Sequence, residues 1–218
     1  MVKYLIISIF IANQNLIKMD RTSILNQYRG ICSDVLGELT TKLNKSFKSF
    51  LMETLILYLV IPGRINFLQL GRYGKSCEQR FRQNFSKDFD WLEFNLSLSD
   101  RVLTGDRKAI AIDPSYISKS GKNTPWIGYF WSGAAGQAKR GLEILGVGLI
   151  DVDNKDCINL QAVQTPDRQT LESRDANLID WYLLVIKSMR EKLHRASRHV
   201  VADAYFAKNN FVTGLQEM

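Results

Sequence analysis

The sequence has few of the residues that build disulfide frameworks and soft-metal sites. Cys32, Cys77 and Cys157 are scattered over 218 residues without a C-x-x-C pair. This odd, widely spaced set argues against a disulfide framework and predicts buried free thiols in a reducing cytosol. His194 and His199 are the only histidines, which argues against a zinc site built on histidine and cysteine. A bound metal is therefore expected to be a hard ion with oxygen ligands, such as Mg²⁺ or Mn²⁺.

A long apolar run is also missing. The segment from Val2 to Ala12 is apolar apart from Lys3 and Ser8, but it is too short to span a bilayer. Polar residues 13–15 follow it where a signal peptide would have small residues. We interpret residues 1–18 as a poorly packed extension or a start artefact, with a natural beginning near Met19. The alternative is a buried strand or helix. The chain is accordingly expected to be cytoplasmic, without a membrane partner.

The charge is unevenly distributed. The net charge is +7, and 45% of the residues are apolar, which is typical of a globular protein. Residues 1–107 carry 15 basic and 10 acidic residues, whereas residues 108–218 carry 14 and 12. A basic excess concentrated in the N-terminal half favours a polyanionic partner, of which nucleic acid is the usual one. The charge alone also fits a basic surface with no specific partner.

Residues 19–100 predict a region of short helices. Ser33 or Asp34 is a suitable cap for a helix reaching Leu43, and Ser76 for a later one. Densely apolar residues predict a core helix before Pro62-Gly63. We predict helices over 35–43, 50–60, 65–70 and 77–85. Short helices joined by glycine turns are the outline of a helix-turn-helix, so this region is predicted to bind DNA.

A cluster of basic residues supports this prediction. Five of them and one acid, Glu78, lie between positions 64 and 82: Arg64, Arg72, Lys75, Arg80 and Arg82. On DNA they would contact phosphates, and one or two arginines would read guanine edges. The alternative is the solvated face of a three-helix bundle. The mixed, charged residues 86–107 are predicted to connect this region to the next domain.

Residues 101–218 predict an α+β domain. Apolar runs predict strands over 109–112, 126–131, 143–152 and 157–163, joined by short turns as an antiparallel meander. A stripe of apolar residues at helical spacing predicts one long helix opened by Asp175, and a fifth strand follows over 199–203. A crossover helix allows that last strand to run parallel to an earlier one.

Two aspartates each end an apolar strand-like run. These are Asp113 and Asp203. A carboxylate at the tip of a buried strand is costly unless it holds a metal or a partner. If the fifth strand pairs with the first, both carboxylates face one site and repel unless a cation bridges them. Such a pair suits metal-dependent phosphoryl transfer. Taken singly, Asp113 also fits a turn with Pro114 and Ser115, and Asp203 also fits a helix cap.

Other residues in this half have simpler interpretations. Asp151, Asp153 and Asp156 resemble the start of a calcium loop but are read as a solvated hairpin turn. Residues 133–141 are read as a flexible hairpin loop. Four nearby basic residues are predicted to contact DNA phosphates near the aspartates: Lys119, Lys122, Lys139 and Arg140. Four aromatic residues between them are assigned to the core: Trp126, Tyr129, Phe130 and Trp131.

Three motifs carry a resemblance to a known family. Ala-Ile-Asp113-Pro-Ser-Tyr-Ile, Trp131-Ser-Gly-Ala-Ala-Gly-Gln-Ala-Lys-Arg-Gly and Val-Val-Ala-Asp203-Ala-Tyr-Phe resemble DDE transposases of bacterial insertion sequences, of the insertion-sequence-four-like group. The resemblance covers roughly residues 20–218. It implies a helical DNA-binding bundle followed by a ribonuclease H-like mixed sheet. It also implies that Asp113 and Asp203 are the first two catalytic residues and metal ligands.

The same resemblance implies the cofactors and partners. Two divalent ions, Mg²⁺ or Mn²⁺, would serve strand cleavage and transfer on double-stranded DNA, both transposon ends and target. A second copy or a full-length transposase is the implied protein partner. The family's third carboxylate is a glutamate within a Tyr-Arg-Glu-Lys signature. Glu217 lies too close to Asp203 to be that residue, and the signature does not surround it.

The chain therefore resembles the front part of a transposase, C-terminally truncated and expected to be inactive alone. Two alternatives stay open. The chain could act as a non-catalytic DNA-binding fragment that inhibits transposition. It could also be an unrelated helix-turn-helix regulator.

Overall fold

The computed structural model describes residues 21–39, 42–121 and 123–217. The apolar extension over 1–18 and the proposed beginning at Met19 lie outside these residues. The chain divides between Thr104 and Gly105 into two compact units. In the part that the structure describes, no helix combines the length and apolar character needed to cross a membrane.

The first unit is helical. The five described helices are α1 (Arg21–Glu38), α2 (Lys45–Val60), α3 (Phe67–Tyr73), α4 (Glu78–Phe85) and α5 (Trp91–Val102). Asn44 caps α2 by accepting from the Phe47 N–H, and Asn66 caps α3 by accepting from the Gln69 N–H. Asp90 caps α5 by accepting from the Glu93 N–H at 3.0 Å.

One core of aliphatic and aromatic side chains holds these helices together. Phe50 on α2 packs against Phe81 on α4, with 5.8 Å between ring centroids, and both rings are buried. Gly71 on α3 permits the close packing of α4, because a Cβ at this position would lie 2.8 Å from the Glu78 nitrogen. The helix over 50–60 and the turn-linked pair α3 and α4 agree with the sequence prediction in outline.

Three sequence predictions for this unit are wrong. No helix starts at Ser33 or Asp34, because α1 runs through both and ends at Glu38. Ser76 does not cap α4; it is buried and donates from its hydroxyl to Glu53 Oε2 at 2.7 Å. Residues 86–107 are not merely a connection, because they include α5. That helix buries four large apolar side chains: Leu92, Phe94, Leu96 and Leu98.

The second unit is built on a five-stranded mixed sheet. Its strands are β1 (Lys108–Ser118), β2 (Gly128–Ser132), β3 (Gln137–Asp151), β4 (Asp156–Gln164) and β5 (Val200–Ala202). The order is β2-β3-β1-β5, and β4 also pairs with β3. The predicted meander is therefore wrong at its first step, since β1 pairs with β3 rather than with β2. The predicted parallel placement of the fifth strand is confirmed, because β5 runs parallel to β1.

The helices of this unit are shorter than predicted. They are α6 (Arg168–Glu172), α7 (Leu178–Ser188), α8 (Arg190–Ala196) and α9 (Asn209–Gln216), with a 3₁₀ helix over Ala204–Phe206. Asp175 does not open the crossover helix, because Asn177 and Asp180 form a capping box there. The apolar stripe is shared by α7 and α8, which are separated at Met189. The chain is thus a mixed α/β protein, which agrees with the predicted class.

Two of the three cysteines do not match the prediction of buried thiols. Cys77 and Cys157 are exposed, and only Cys32 is buried. Burial raises the pKa of the Cys32 thiol to about 11, although a hydrogen bond with Tyr28 lowers it in part. Cys32 is therefore a protonated core residue at neutral pH.

Candidate functional site

The parallel pair of β1 and β5 brings the two aspartates to one place on the sheet. Ile110 lies opposite Val200, and Ile112 lies opposite Ala202. Asp113 and Asp203 are the next residues on the two chains. Neighbouring strands lie about 4.8 Å apart, so the two carboxylates start from adjacent backbone positions. Both residues are exposed.

Asp113 does not end its strand, and the predicted turn with Pro114 and Ser115 is wrong. β1 continues through all three residues to Ser118, and Asp113 lies opposite Gly146 on β3. The Ile110 N–H donates to the His199 carbonyl on the β5 side. By alternation, the nitrogen of residue 114 faces the same side, beyond the last residue of β5. Proline fits there because no hydrogen bond between strands is lost.

The face of the sheet around Asp113 carries few side chains. Successive residues of a strand point to opposite faces, so Asp113 shares a face with Ala111 and with its cross-strand partner Gly146. A Cβ on Gly146 would lie 3.2 Å from the Asp113 carbonyl oxygen. The opposite face carries Ile112 and Val147, which are buried. A large ligand can therefore approach the carboxylate across small residues.

Asp203 is a helix cap as well as a partner of Asp113. Its backbone is extended, and its Oδ1 accepts from the Tyr205 N–H at 3.0 Å at the start of the 3₁₀ helix. Phe206, in the same turn, is buried against Tyr182 and Phe211, with centroid distances of 5.4 and 4.9 Å. The cap alternative is thus realised, and it orients the side chain of this exposed residue.

This donor set suits part of a hard-metal site. Two carboxylates supply the oxygen ligands that Mg²⁺ and Mn²⁺ prefer, and Mg²⁺ often binds proteins through one or two carboxylates plus water and substrate phosphate. Among the residues that the structure describes, no group of three or more histidine, cysteine, aspartate or glutamate side chains could hold a metal ion. The pair therefore fits a divalent ion only together with ligands from outside this set.

No protein-family model matches the chain, and no curated protein sequence matches it. The likeness to transposases therefore rests on the three motifs and on the order in which they occur.

The five basic residues predicted to bind DNA in the first unit are all exposed. Arg82 has internal partners, because it pairs with Glu78 one turn away and its guanidinium lies 4.8 Å from the centroid of the Phe67 ring. Arg80 donates to Ser46 Oγ at 3.4 Å. The predicted cluster is thus partly tied into the surface of α3 and α4.

The described basic residues of the second unit that were predicted to contact DNA lie at the end of the sheet that is far from the aspartates. Lys119 follows β1, Lys139 and Arg140 lie near the start of β3, and all three are exposed. Arg140 lies six residues from Gly146, which is about 20 Å at the rise of a strand. These residues are therefore not next to Asp113. Lys122 lies outside the described residues. The predicted loop over 133–141 is shorter, because β3 begins at Gln137.

Two features of this unit escaped the sequence interpretation. Tyr129 and Trp131, assigned to the core, are 74% and 64% exposed, whereas Phe130 between them is buried. Successive side chains of a strand point to opposite faces, so three consecutive aromatic residues in β2 could not all point into the core. Glu143, a buried acid, accepts a hydrogen bond from the Tyr182 hydroxyl. Its place between Leu142 and Ile144 in an apolar run gave no indication of its partner.

The hairpin turn after β3 is not solvated at Asp151. This carboxylate is fully buried and accepts from the Gly105 N–H at 2.7 Å and from the Asn154 N–H at 2.9 Å. Burial alone would raise its pKa, but hydrogen bonds from Asn154, Gly105 and Asp153 together lower the pKa below its usual value. Asp153 pairs with Arg107 at 2.6 Å. These acids are thus structural.

A cleft of about 520 Å³ opens in the second unit. It is lined by residues of β2, α6, the start of α7 and the segment after β5, including Phe130, Leu171, Ile179, Tyr205 and Lys208. Neither Asp113 nor Asp203 lines it.

Proposed function

We propose that this protein supplies two of the three catalytic carboxylates of a DDE transposase, which carries out metal-dependent DNA strand cleavage and transfer at the ends of an insertion sequence, and that these two alone do not complete the site. The second unit would be a ribonuclease H-like catalytic domain, and the first unit a helical DNA-binding domain. The observation that carries the proposal is the placement of Asp113 and Asp203 directly after Ile112 and Ala202, the last paired residues of the parallel strands β1 and β5. Three sequence motifs in the order typical of this family support it further.

Asp113 and Asp203 would hold a Mg²⁺ or Mn²⁺ ion. When bound, the ion would activate the attacking oxygen and stabilise the leaving oxygen of a phosphodiester. The protein's own residues orient the site. The cap to Tyr205 holds Asp203 in place, and the Ser115 hydroxyl lies 3.3 Å from Asp113 Oδ2. Ala111 and Gly146 leave room beside Asp113 for a DNA backbone.

The basic residues Arg64, Arg72 and Lys75 support a role for the first unit in binding duplex DNA. They are exposed on or beside α3, a short helix joined by a tight turn to α4. Contacts of such residues with phosphates would position the protein without reading sequence. Transposon ends and target DNA are the proposed substrates.

A non-catalytic DNA-binding protein is the second candidate. Transposases of this family use three carboxylates. Among the residues that the structure describes, only Asp113 and Asp203 are assigned to this site, and this favours the second candidate. Such a protein would occupy DNA ends, or pair with a full-length transposase, and inhibit transposition.

A nicking assay separates the two candidates. The substrate is a supercoiled plasmid carrying the gene with its native flanking DNA, incubated with the purified chain and Mg²⁺, Mn²⁺ or EDTA. Metal-dependent nicking that is lost in Asp113→Asn and Asp203→Asn would support the first candidate. Asparagine at position 203 keeps the helix cap, so the fold is retained while the charge is removed. Asp175→Asn is the matched control, because it changes an exposed aspartate away from the site.

Mn²⁺ binding, measured by electron paramagnetic resonance, gives a readout that does not need activity. Mn²⁺ affinity should fall in both site variants and remain in Asp175→Asn. DNA binding without nicking or Mn²⁺ binding would support the second candidate. Absence of both DNA binding and nicking would overturn both proposals.

A further inference from the structure

The β2–β3 hairpin presents two large aromatic side chains to solvent. Tyr129 and Trp131 alternate with buried Phe130 along β2, and they are 74% and 64% exposed. Exposed aromatic rings of this size are costly to leave in water, because each can bury 150–250 Å² in contact with a partner. Both rings project from the same side of the strand, two residues apart, and are therefore spaced about 7 Å along it.

These rings lie on the same face of the sheet as Asp113. Tyr129 pairs with Arg140, and Trp131 pairs with Ala138. Arg140 and Gly146 are an even number of residues apart on β3, so they share a face, and Gly146 lies opposite Asp113. The separation along β3 is about 20 Å, a distance that an extended strand of several nucleotides can span.

The segment that forms the hairpin is basic, although Asp167 lies beside Gly128 at the start of β2. Between Asp113 and Glu143 the sequence contains no acidic residue and four basic ones. Arg140, directly across from Tyr129, is held in place because its guanidinium donates to the Gly121 carbonyl at 3.1 Å. The Tyr116 hydroxyl also donates to the Arg140 carbonyl at 2.8 Å. A fixed cation beside exposed rings suits an anionic ligand that has flat apolar groups.

We propose that Tyr129, Trp131 and Arg140 form a stacking platform for single-stranded nucleic acid. Bases would stack on the two rings, while Arg140, on the same face, would contact the phosphates. Proteins that bind single strands without sequence preference combine a basic surface with exposed aromatic side chains in this way. Binding of single strands by the platform does not depend on the proposed function. Its biological role does, because that role is to hold a strand that crosses the sheet face toward Asp113.

The test measures binding of a fluorescein-labelled oligothymidine of about 16 nucleotides, a length that covers the site size of a single-strand-binding module. Fluorescence anisotropy is recorded in EDTA and low salt with the whole chain. Tyr129→Val and Trp131→Val remove the rings but keep residues that favour strands. Each should weaken binding about five-fold or more, and the double variant should weaken it further. Circular dichroism and thermal unfolding verify that each variant is folded.

Conservative and control variants make the test specific. Tyr129→Phe and Trp131→Phe retain a ring and should bind with nearly unchanged affinity. Quenching of tryptophan fluorescence by the oligothymidine should nevertheless be lost in Trp131→Phe. Leu184→Ala changes an apolar residue that is 59% exposed on α7, and it should leave the affinity unchanged. Binding through the first unit is common to all variants and does not affect the comparison.

Valine variants that bind the oligothymidine as tightly as the wild type would overturn the proposal. So would sedimentation experiments in which Trp131→Val converts a dimer into a monomer while binding is unchanged, because the rings would then contact a second copy. The assay contains no metal, so its result is independent of the nicking assay. Ring-dependent binding without nicking keeps the platform and rejects the catalytic role, and nicking without ring-dependent binding does the reverse.

Discussion

The Tyr182 hydroxyl donates a hydrogen bond to Glu143 Oε1 at 2.5 Å, and both residues are buried where α7 covers the sheet. Burial raises the pKa of the Tyr182 hydroxyl far above its usual value, and the nearby Glu143 raises it further. The pair therefore joins α7 to the longest strand through a neutral donor and a buried acceptor.

Tyr182→Phe should destabilise the second unit by about 1–3 kcal/mol, because the Glu143 carboxylate would stay buried without its donor. Urea denaturation followed by circular dichroism measures this loss. The double variant Tyr182→Phe/Glu143→Leu should recover part of it, since replacing both partners removes the unsatisfied acceptor. Equal stability of the single variant and the wild type would show that the hydrogen bond contributes nothing.

Asp151→Asn should lower the free energy of unfolding at neutral pH. It should also make this free energy less dependent on pH in the acidic range. The pKa of Asp151 is lowered in the folded state, so its contribution is present above pH about 4 and is lost as the pH falls below that value. The expected cost at pH 7 is about 1.5–3 kcal/mol, because hydrogen bonds to a charged acceptor are lost.

Thermal unfolding as a function of pH tests this expectation for Asp151. Asp156→Asn, at the opposite end of the same hairpin turn, serves as the control. If the two variants lose stability in parallel as the pH falls, Asp151 has no special role.

Gly71→Ala should destabilise the first unit by about 1–3 kcal/mol, the usual cost of overpacking. The new Cβ would lie 2.8 Å from the backbone nitrogen of Glu78, so α3 and α4 would have to separate. Gly37→Ala is the matched control. It lies in α1 with nothing within 4 Å of the new Cβ and should stabilise the helix by about 0.5–1 kcal/mol. The free energies of unfolding in urea should therefore change in opposite directions.

Arg72→Gln and Lys75→Gln should each weaken binding to duplex DNA of any sequence. Each lost phosphate contact reduces the slope of log affinity against log salt concentration by about 0.9. Fluorescence anisotropy over a range of salt concentrations measures this slope. Arg168→Gln removes an exposed cation of the second unit that is paired with Glu172 and should leave the slope unchanged. A slope that does not change in the first two variants would exclude α3 and its turn from the DNA contact.

The sequence was sufficient to predict the elements whose apolar patterns are simple. Buried runs indicated the strands, and the crossover before Val200 indicated a parallel partner for β1. The partner and the length of β1 were harder to predict. Pro114 suggested a turn, but it is compatible with a long strand because β5 has already ended at Ala202. That fact depends on the pairing of residues far apart in the chain.

Other errors came from reading local composition without its capping signals. The charged residues Asp100 and Arg101 suggested a linker where α5 lies. The pattern of Asp90 followed three residues later by Glu93 is a helix-start signal that would have indicated it. The split at Met189 carries no local signal. Of the groups that donate to Asp151, Asp153 and Asn154 are close in sequence, whereas the Gly105 N–H is distant and could not be predicted from the local sequence.

Because β1 and β5 differ in length, the backbone is more rigid at Asp113 than at Asp203. Asp113 belongs to an eleven-residue strand paired along its whole length with β3. Asp203 follows a strand of only three residues that pairs with β1 alone in the sheet. Segments with few backbone bonds open at lower free energy than the centre of a sheet. Asp113 is therefore the more rigidly placed of the two, whereas Asp203, which the cap ties to its own turn, can move together with that turn and with β5 relative to Asp113. Ion binding should slow amide hydrogen exchange mainly in β5.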